Sequence, residues 1–272
     1  MIEIKTPAEI RKMRAAGLVV GRALEALREA AVAGTTTKEL DAIAEDVIRS
    51  AGAVPSFLGY QPHASVPPFP GTICASVNDE IVHGIPGRRE LRDGDVISVD
   101  CGAILDGWHG DAAITVAVGA VHDRVQELMR VCEDSMWRGF AAAALGGRVS
   151  DISAAIEHHV RSQGAYGIVE EYGGHGIGTA MHQPPHVLNY GRPGQGPSIV
   201  EGLALAIEPM ITLGSPETQE LDDDWTVVTA DGSVAAHFEH TFTMTPDGPW
   251  VLTALDGGAG RLGELGISAA SG

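Results

Sequence analysis

The sequence predicts an α+β fold made of two similar helix-plus-strand halves, and three observations carry that expectation. Two capping boxes near the start, Thr6-Pro7-Ala8-Glu9 and Thr36-Thr37-Lys38-Glu39, each open a helix. In such a box the Thr side chain accepts from the backbone N–H three residues on, and the Glu reaches back to the cap. A strand pair then follows at VISVDCGAIL and WHGDAAITVAV, joined by Asp106-Gly107, a strong two-residue hairpin signal. Finally the order recurs, and the second helix of each half ends alike, VIRSAGA at 47–53 against HVRSQGA at 159–165. The repeat is faint, and coincidence is the alternative; an internal duplication would bring a site between its halves.

Pro7 at the first helical position starts a helix that should run to about Ala33, and the second box opens one to about Ala51. After the hairpin an amphipathic helix covers about 122 to 144, with Val125, Leu128, Met129, Cys132 and Phe140 on one face. A partner helix runs from about Ser150 to Gln163. GLALAIEPM reads as a buried strand that ends in Glu208 and is stopped by Pro209. WTVVTADGSVAAHFEHTFTMT reads as a second hairpin, with its turn at Asp231-Gly232 and Glu239 on the outgoing strand. One domain over 1–255 is expected, in halves of about 1–120 and 121–255. The Gly/Ala/Ser-rich remainder, 256–272, is expected to be a flexible tail.

Composition narrows the function classes. With 36 acids against 18 bases the net charge is −18, which argues against nucleic acid or an anionic membrane as the main partner. No apolar run reaches the roughly 18 residues of a membrane span. The charged start, MIEIKTPAEIRKMR, is unlike a signal peptide. Cys74, Cys101 and Cys132 are odd in number and lack metal-knuckle spacing, so they read as reduced thiols of a cytoplasmic protein.

The hairpin register carries the chemistry. With the turn at Asp106-Gly107, Leu105 pairs with Trp108, Gly102 faces Asp111 and Asp100 faces Ala113. Asp100 and Asp111 therefore share a face as diagonal neighbours, roughly 7–8 Å apart. Two convergent carboxylates beside Val, Ile and Ala repel one another unless a cation lies between them. For this pair alone, outward-pointing solubilising acids are the alternative. EEYGGHGIGTAMHQPPH then adds His175 among four glycines, with His182 further along the same loop. The glycine spacing fails the dinucleotide fingerprint, and no helical pattern follows directly. Glu208 at the end of its apolar run and Glu239 between His237 and His240 complete the order D, D, H, E, E. Four carboxylates and one neutral imidazole are neutralised by two divalent cations. Oxygen-rich ligands with one His suit Mn²⁺, Fe²⁺ or Co²⁺. Paired cations polarise a carbonyl and acidify a water between them, which is the chemistry of metal-assisted hydrolysis.

At this point NDEIVHGIP, SVDCG, GWHGD, YGGHGIG, MHQPPHV, AIEPM and HFEHT, in that order, resemble the type I methionine aminopeptidases. The resemblance spans about residues 3 to 253 and implies the pita-bread fold, a pseudo-two-fold α+β sandwich. It implies an enzyme that removes the initiator methionine from nascent polypeptides whose second residue is small; a monomer acting on them at the ribosome is the expected setting, which the sequence does not itself decide. It also implies two divalent ions (Co, Mn or Fe) held by Asp100, Asp111, His175, Glu208 and Glu239, with Asp111 and Glu239 bridging both. Glu208 would also be the general base. His182 would bind substrate and steady the oxyanion, and His83 would contact substrate and help move a proton to the leaving amine. Tyr60, Phe69, Cys74, Met181 and Trp225 match positions that line the methionine pocket, where a thioether needs a soft apolar wall. From the residues alone, His83 after Ile81 and Val82 would read as a core residue.

The departures from that pattern are specific. QPHASVPP, between Gly59-Tyr60 and Phe69-Pro70, is longer than the usual connection and proline-rich. Met181 stands where an aromatic is familiar. The chain starts at its first helix, without the extension some relatives carry, and the stretch from His182 to Glu208 is too short for the type II insert. Two rivals share the ligand pattern or the fold. Proline-specific peptidases usually carry an extra N-terminal domain for which this chain has no room, and a binding protein could keep the fold without catalysis.

Overall fold

The computed structural model describes residues 2–270. Its first half runs α1 (Pro7–Ala30), α2 (Thr37–Ser50), β1 (Val54–Pro55), β2 (Ile73–Val77), β3 (Glu80–Val82), β4 (Val96–Leu105) and β5 (Trp108–Ala117). The second half opens with α3 (Asp123–Ala142), α4 (Val149–Gln163), β6 (Gly167–Ile168), β7 (Gly174–Gly176), β8 (Gln183–Val187) and β9 (Ala204–Ile207). It continues with β10 (Met210–Thr212), β11 (Thr218–Glu220), β12 (Val227–Thr229), β13 (Ala235–His237), β14 (Glu239–Thr245), β15 (Gly248–Val251) and α5 (Ala259–Glu264).

Both capping boxes form. Thr6 and Thr36 accept from the backbone N–H of Glu9 and Glu39, whose carboxylates take the cap N–H in return at 2.7 and 2.8 Å. The long sheet runs β1-β4-β5-β14-β9-β7-β8, with β2 added on β4 and β15 on β14. The Asp106-Gly107 hairpin has the expected register, Leu105 on Trp108 and Asp100 on Ala113. Helices cover one face of this sheet. Helix α1 crosses β5 where Gly17 meets Gly110, and a Cβ on Gly17 would sit 2.2 Å from the Leu252 carbonyl oxygen, so only glycine permits this approach. Leu27, Leu40, Ile48, Phe140 and Phe242 fill the core behind it.

The halves meet at the seam between β5 and β14, where only Glu239–Ala113 and His240–Ala112 pair directly. On either side a threonine hydroxyl fills the gap. Thr241 Oγ1 donates to Asp111 O at 2.8 Å and accepts from Asp111 N at 3.1 Å. Thr115 Oγ1 does the same for His237, donating to its O at 2.7 Å and accepting from its N at 2.9 Å. The strands are thus splayed without orphaning their backbone groups.

Two expectations require correction. The Asp231-Gly232 turn forms, but the strands flanking it do not pair into a hairpin. Strand β12 pairs with β11 and β3, and β13 pairs with β10. Local turn chemistry closed the loop, and partners from elsewhere in the chain took the strands. The segment expected to be a flexible tail instead carries α5, with Leu262 fully buried. Gly257 and Gly258 adopt positive φ and fold the chain back over Trp250 and Trp137, and Ala270 N donates to Pro249 O at 2.9 Å. The last two residues, 271 and 272, lie outside the described residues.

Candidate metal centre and pocket

Register alone sorts the acids. Asp100 faces Ala113, which faces Glu239, and Asp111 lies two residues from Ala113 on β5. His175 pairs with Ala206, which also pairs with Thr241, two residues from Glu239. Since side chains alternate along a strand, Asp100, Asp111, His175 and Glu239 share one sheet face, opposite the helices. Glu208, one residue past β9, keeps the parity of Ala206. Pro209 ends that strand, and Asn189 Nδ2 holds the Glu208 carbonyl at 3.0 Å.

All five expected ligands line one cavity of about 510 Å³. One donor atom each from Asp111, His175 and Glu239 lies within 4.8 Å of the others, and so does one each from Glu208, His237 and Glu239. Asp100 Oδ1, Asp111 Oδ1 and Glu239 Oε1 are buried without a hydrogen-bond partner. Burial pushes the Asp100 carboxyl up to about 7 and that of Glu208 up to about 8. Burial, reinforced by neighbouring carboxylates, raises Asp111 and Glu239 well above the usual range. Unpartnered buried oxygens that repel one another fit a divalent cation, whose charge reverses both effects. His175 Nδ1 lies 3.0 Å from Gly176 O, an acceptor only, so Nδ1 carries the hydrogen. The free Nε2 points at the acids, 3.5 Å from Glu208 Oε1. That is the tautomer of a metal-binding imidazole.

The pocket beside these acids is apolar. Phe57, Phe69, Cys74, Met181 and Trp225 form one buried cluster, with Tyr60, Val66 and Ile85 packed on it. Tyr60, Phe69, Cys74, Met181 and Trp225 all line the cavity, and so do Phe57 and Pro62, while Val66 and Ile85 pack behind them. The 61–68 insertion leaves and returns through one backbone clamp, Gly59 N to Phe69 O and Phe69 N to Tyr60 O, both 2.8 Å. Its return is pinned by the Trp225 indole, which donates to Pro67 O at 3.0 Å.

Three side chains arm the rim. The Tyr60 hydroxyl lies 2.8 Å from His182 Nδ1, and His182 is exposed at the mouth. Its ring also meets that of His175 edge-on at 4.5 Å. His83 is no core residue. Its backbone sits at φ 59°, and its ring stands edge-on to Tyr172 and Trp225 at 5.7 and 6.2 Å. Burial pulls its imidazole down to about 4, so it is neutral at pH 7. His237 is a buried cavity donor beside Glu208 and Glu239 that the ligand pattern leaves out. Its parity with Glu239, two residues on, was the available signal.

The metallopeptidase family M24 model matches residues 11–246. A methionine aminopeptidase 1 of Mycobacterium tuberculosis is 52% identical over 92% of this chain and 94% of its own. The methionine aminopeptidase 1 of Bacillus subtilis is 47% identical over 94% of this chain and 100% of its own. The crystal structure of the Thermotoga maritima methionine aminopeptidase superposes with a TM-score of 0.89 at 38% identity, covering 93% of this chain and 99% of that one. The Pyrococcus furiosus prolidase reaches 0.72 at 21% identity over 92% of this chain and 65% of that one, a likeness of fold alone. With its pita-bread sheet, its acid-lined cavity and relatives matched over nearly their whole length, this chain belongs to metallopeptidase family M24 and, within it, to the methionine aminopeptidases.

Proposed function

We propose that this chain hydrolyses the first peptide bond of nascent polypeptides that begin with methionine and carry a small second residue. The observation that supports this reading best is a single cavity joining four carboxylates and an imidazole to an apolar cluster suited to a thioether. Asp100, Asp111, His175, Glu208 and Glu239 would hold two divalent cations, with Co²⁺, Mn²⁺ and Fe²⁺ matching the donor set. When bound, such cations supply Lewis acidity and a water that is acidic near neutral pH.

The remaining roles belong to the chain. Phe57, Phe69, Cys74, Met181 and Trp225 take the methionine side chain and exclude water from it. Glu208, facing the cavity between the imidazoles of His175 and His237, accepts the proton of the attacking water at its carboxylate. His182 Nε2–H donates to the carbonyl oxygen as negative charge develops there, and Tyr60 holds its Nδ1. Neutral His83 on the pocket wall relays the proton that Glu208 has taken up, receiving at one ring nitrogen as it donates from the other to the leaving amine. The whole of 1–255 acts as one catalytic unit. Three free, buried thiols suit a reducing, cytoplasmic setting, where the chain would act as a monomer on polypeptides that leave the ribosome.

The test is turnover of Met-Ala-Ser by protein stripped of metal and then reloaded with Mn²⁺ or Co²⁺. Cleavage that appears only on reloading is expected. Failure on Met-Ala-Ser together with turnover of Ala-Pro would replace this reading with a proline-directed one, and failure on both would end the peptidase reading.

A further inference from the structure

Five ligands account for the expected centre, yet the same cavity buries a sixth donor. His237 is 1% exposed, and its Nε2 has no hydrogen-bond partner. That nitrogen lies 3.5 Å from Glu208 Oε2, while the other oxygen of the same carboxylate lies 3.5 Å from His175 Nε2. Glu208 is thus flanked by two imidazoles, one from each side. The imidazole of His237 is also fixed in place. Strand β13 sets its backbone against Met210, and the Thr115 hydroxyl bridges its N–H and C=O. A buried, unpartnered imidazole nitrogen held rigidly against carboxylates is costly unless something binds it.

We infer that His237 is a metal ligand, the nitrogen donor of a second cation position formed with Glu208 and Glu239. The donor clusters support this division. Asp111, His175 and Glu239 make one set, and Glu208, His237 and Glu239 make the other, with Glu239 common to both. Each position then carries one imidazole rather than the pair sharing only His175. Nitrogen at both positions shifts preference away from Mg²⁺ and Mn²⁺ and toward Fe²⁺, Co²⁺ and Zn²⁺. This inference rests on the two-cation reading above, and its test separates the two.

The experiment uses the full chain loaded with Co²⁺, with the number of ions bound measured by titration. Proton NMR then counts the hyperfine-shifted, solvent-exchangeable imidazole N–H signals. Each ligating imidazole whose other nitrogen keeps its hydrogen gives one. Two ions and two such signals are expected, from His175 and His237. In His237→Gln, one signal should vanish and the affinity for one ion should fall by roughly tenfold or more, the other ion being retained. Two bound ions with a single shifted imidazole in the native chain would overturn the role of His237 and leave the two-cation reading intact. So would a His237→Gln variant with both signals unchanged. A native chain that binds no Co²⁺ would overturn both. The signal count in the native chain decides the matter even if the variant does not fold.

Discussion

Replacing Thr241 with Val keeps the branched shape of the side chain and removes one hydroxyl, so it isolates what that hydroxyl does at the seam. The hydroxyl is fully buried, and it both donates to and accepts from the backbone of Asp111. Without it, the Asp111 N–H and C=O face an apolar methyl with no water to replace the lost partner. Each orphaned buried backbone group costs about 1–3 kcal/mol, so Thr241→Val should lose roughly 2–6 kcal/mol. That is a large share of the roughly 5–15 kcal/mol that holds a typical domain together. Urea unfolding of the metal-free protein, followed by circular dichroism, reads the loss as a drop in midpoint at constant slope. Because the backbone that carries a candidate ligand is released, affinity for Co²⁺ should fall about 10–100-fold as well. Thr241→Ser keeps the hydroxyl and should recover most of both losses. A valine variant within about 0.5 kcal/mol of the native chain would show that the seam does not depend on this bridge.

Four further outcomes follow from the site. Asp100 and Glu208, raised to about 7 and about 8 by burial, contribute stability that is present below their ordinary carboxylate range and lost as pH rises through those values. The lowered histidines, His83 at about 4 and His175 at about 3, act in the opposite sense and only below about pH 6.5. Between pH 6.5 and 8, metal-free protein should therefore lose up to about 1.4 kcal/mol per pH unit per titrating group, and metal-loaded protein should not; parallel melting curves would refute this. His182→Ala should lower kcat on Met-Ala-Ser by about 10²–10³ while elemental analysis finds the metal content unchanged. His83→Ala should lose kcat and substrate affinity together. Joining Tyr60 closely to Phe69 in place of residues 61–68 removes Pro62 from the cavity wall, Val66 from the apolar cluster and Pro67 from the Trp225 indole, so KM should rise more than kcat falls. Unchanged kinetics across several peptides would reduce the insertion to a surface loop.

The features legible in the sequence are those decided within a few residues of one another. Thr6 with Glu9 and Thr36 with Glu39 close their boxes across a single turn, and Asp106-Gly107 dictates the β4–β5 register because a two-residue loop leaves no alternative pairing. The acids and His175 were recognisable because each sits in a short motif, and strand parity was enough to put Asp100 and Asp111 on one face. What the sequence left undecided was the choice of distant partners. The β-forming runs on either side of Asp231-Gly232 looked suited to each other, but β3, β10 and β11 offered them better neighbours. Likewise the Gly-rich segment after Leu255 has few large side chains, yet one leucine, Leu262, finds a closed site between elements far away in the chain. Thr115 and Thr241 read as ordinary strand residues, and His237 as a neighbour of Glu239. Their roles arise only where two halves meet, because an orphaned hydrogen bond or an unpartnered imidazole is a property of a burial site, and burial is decided by the whole chain at once.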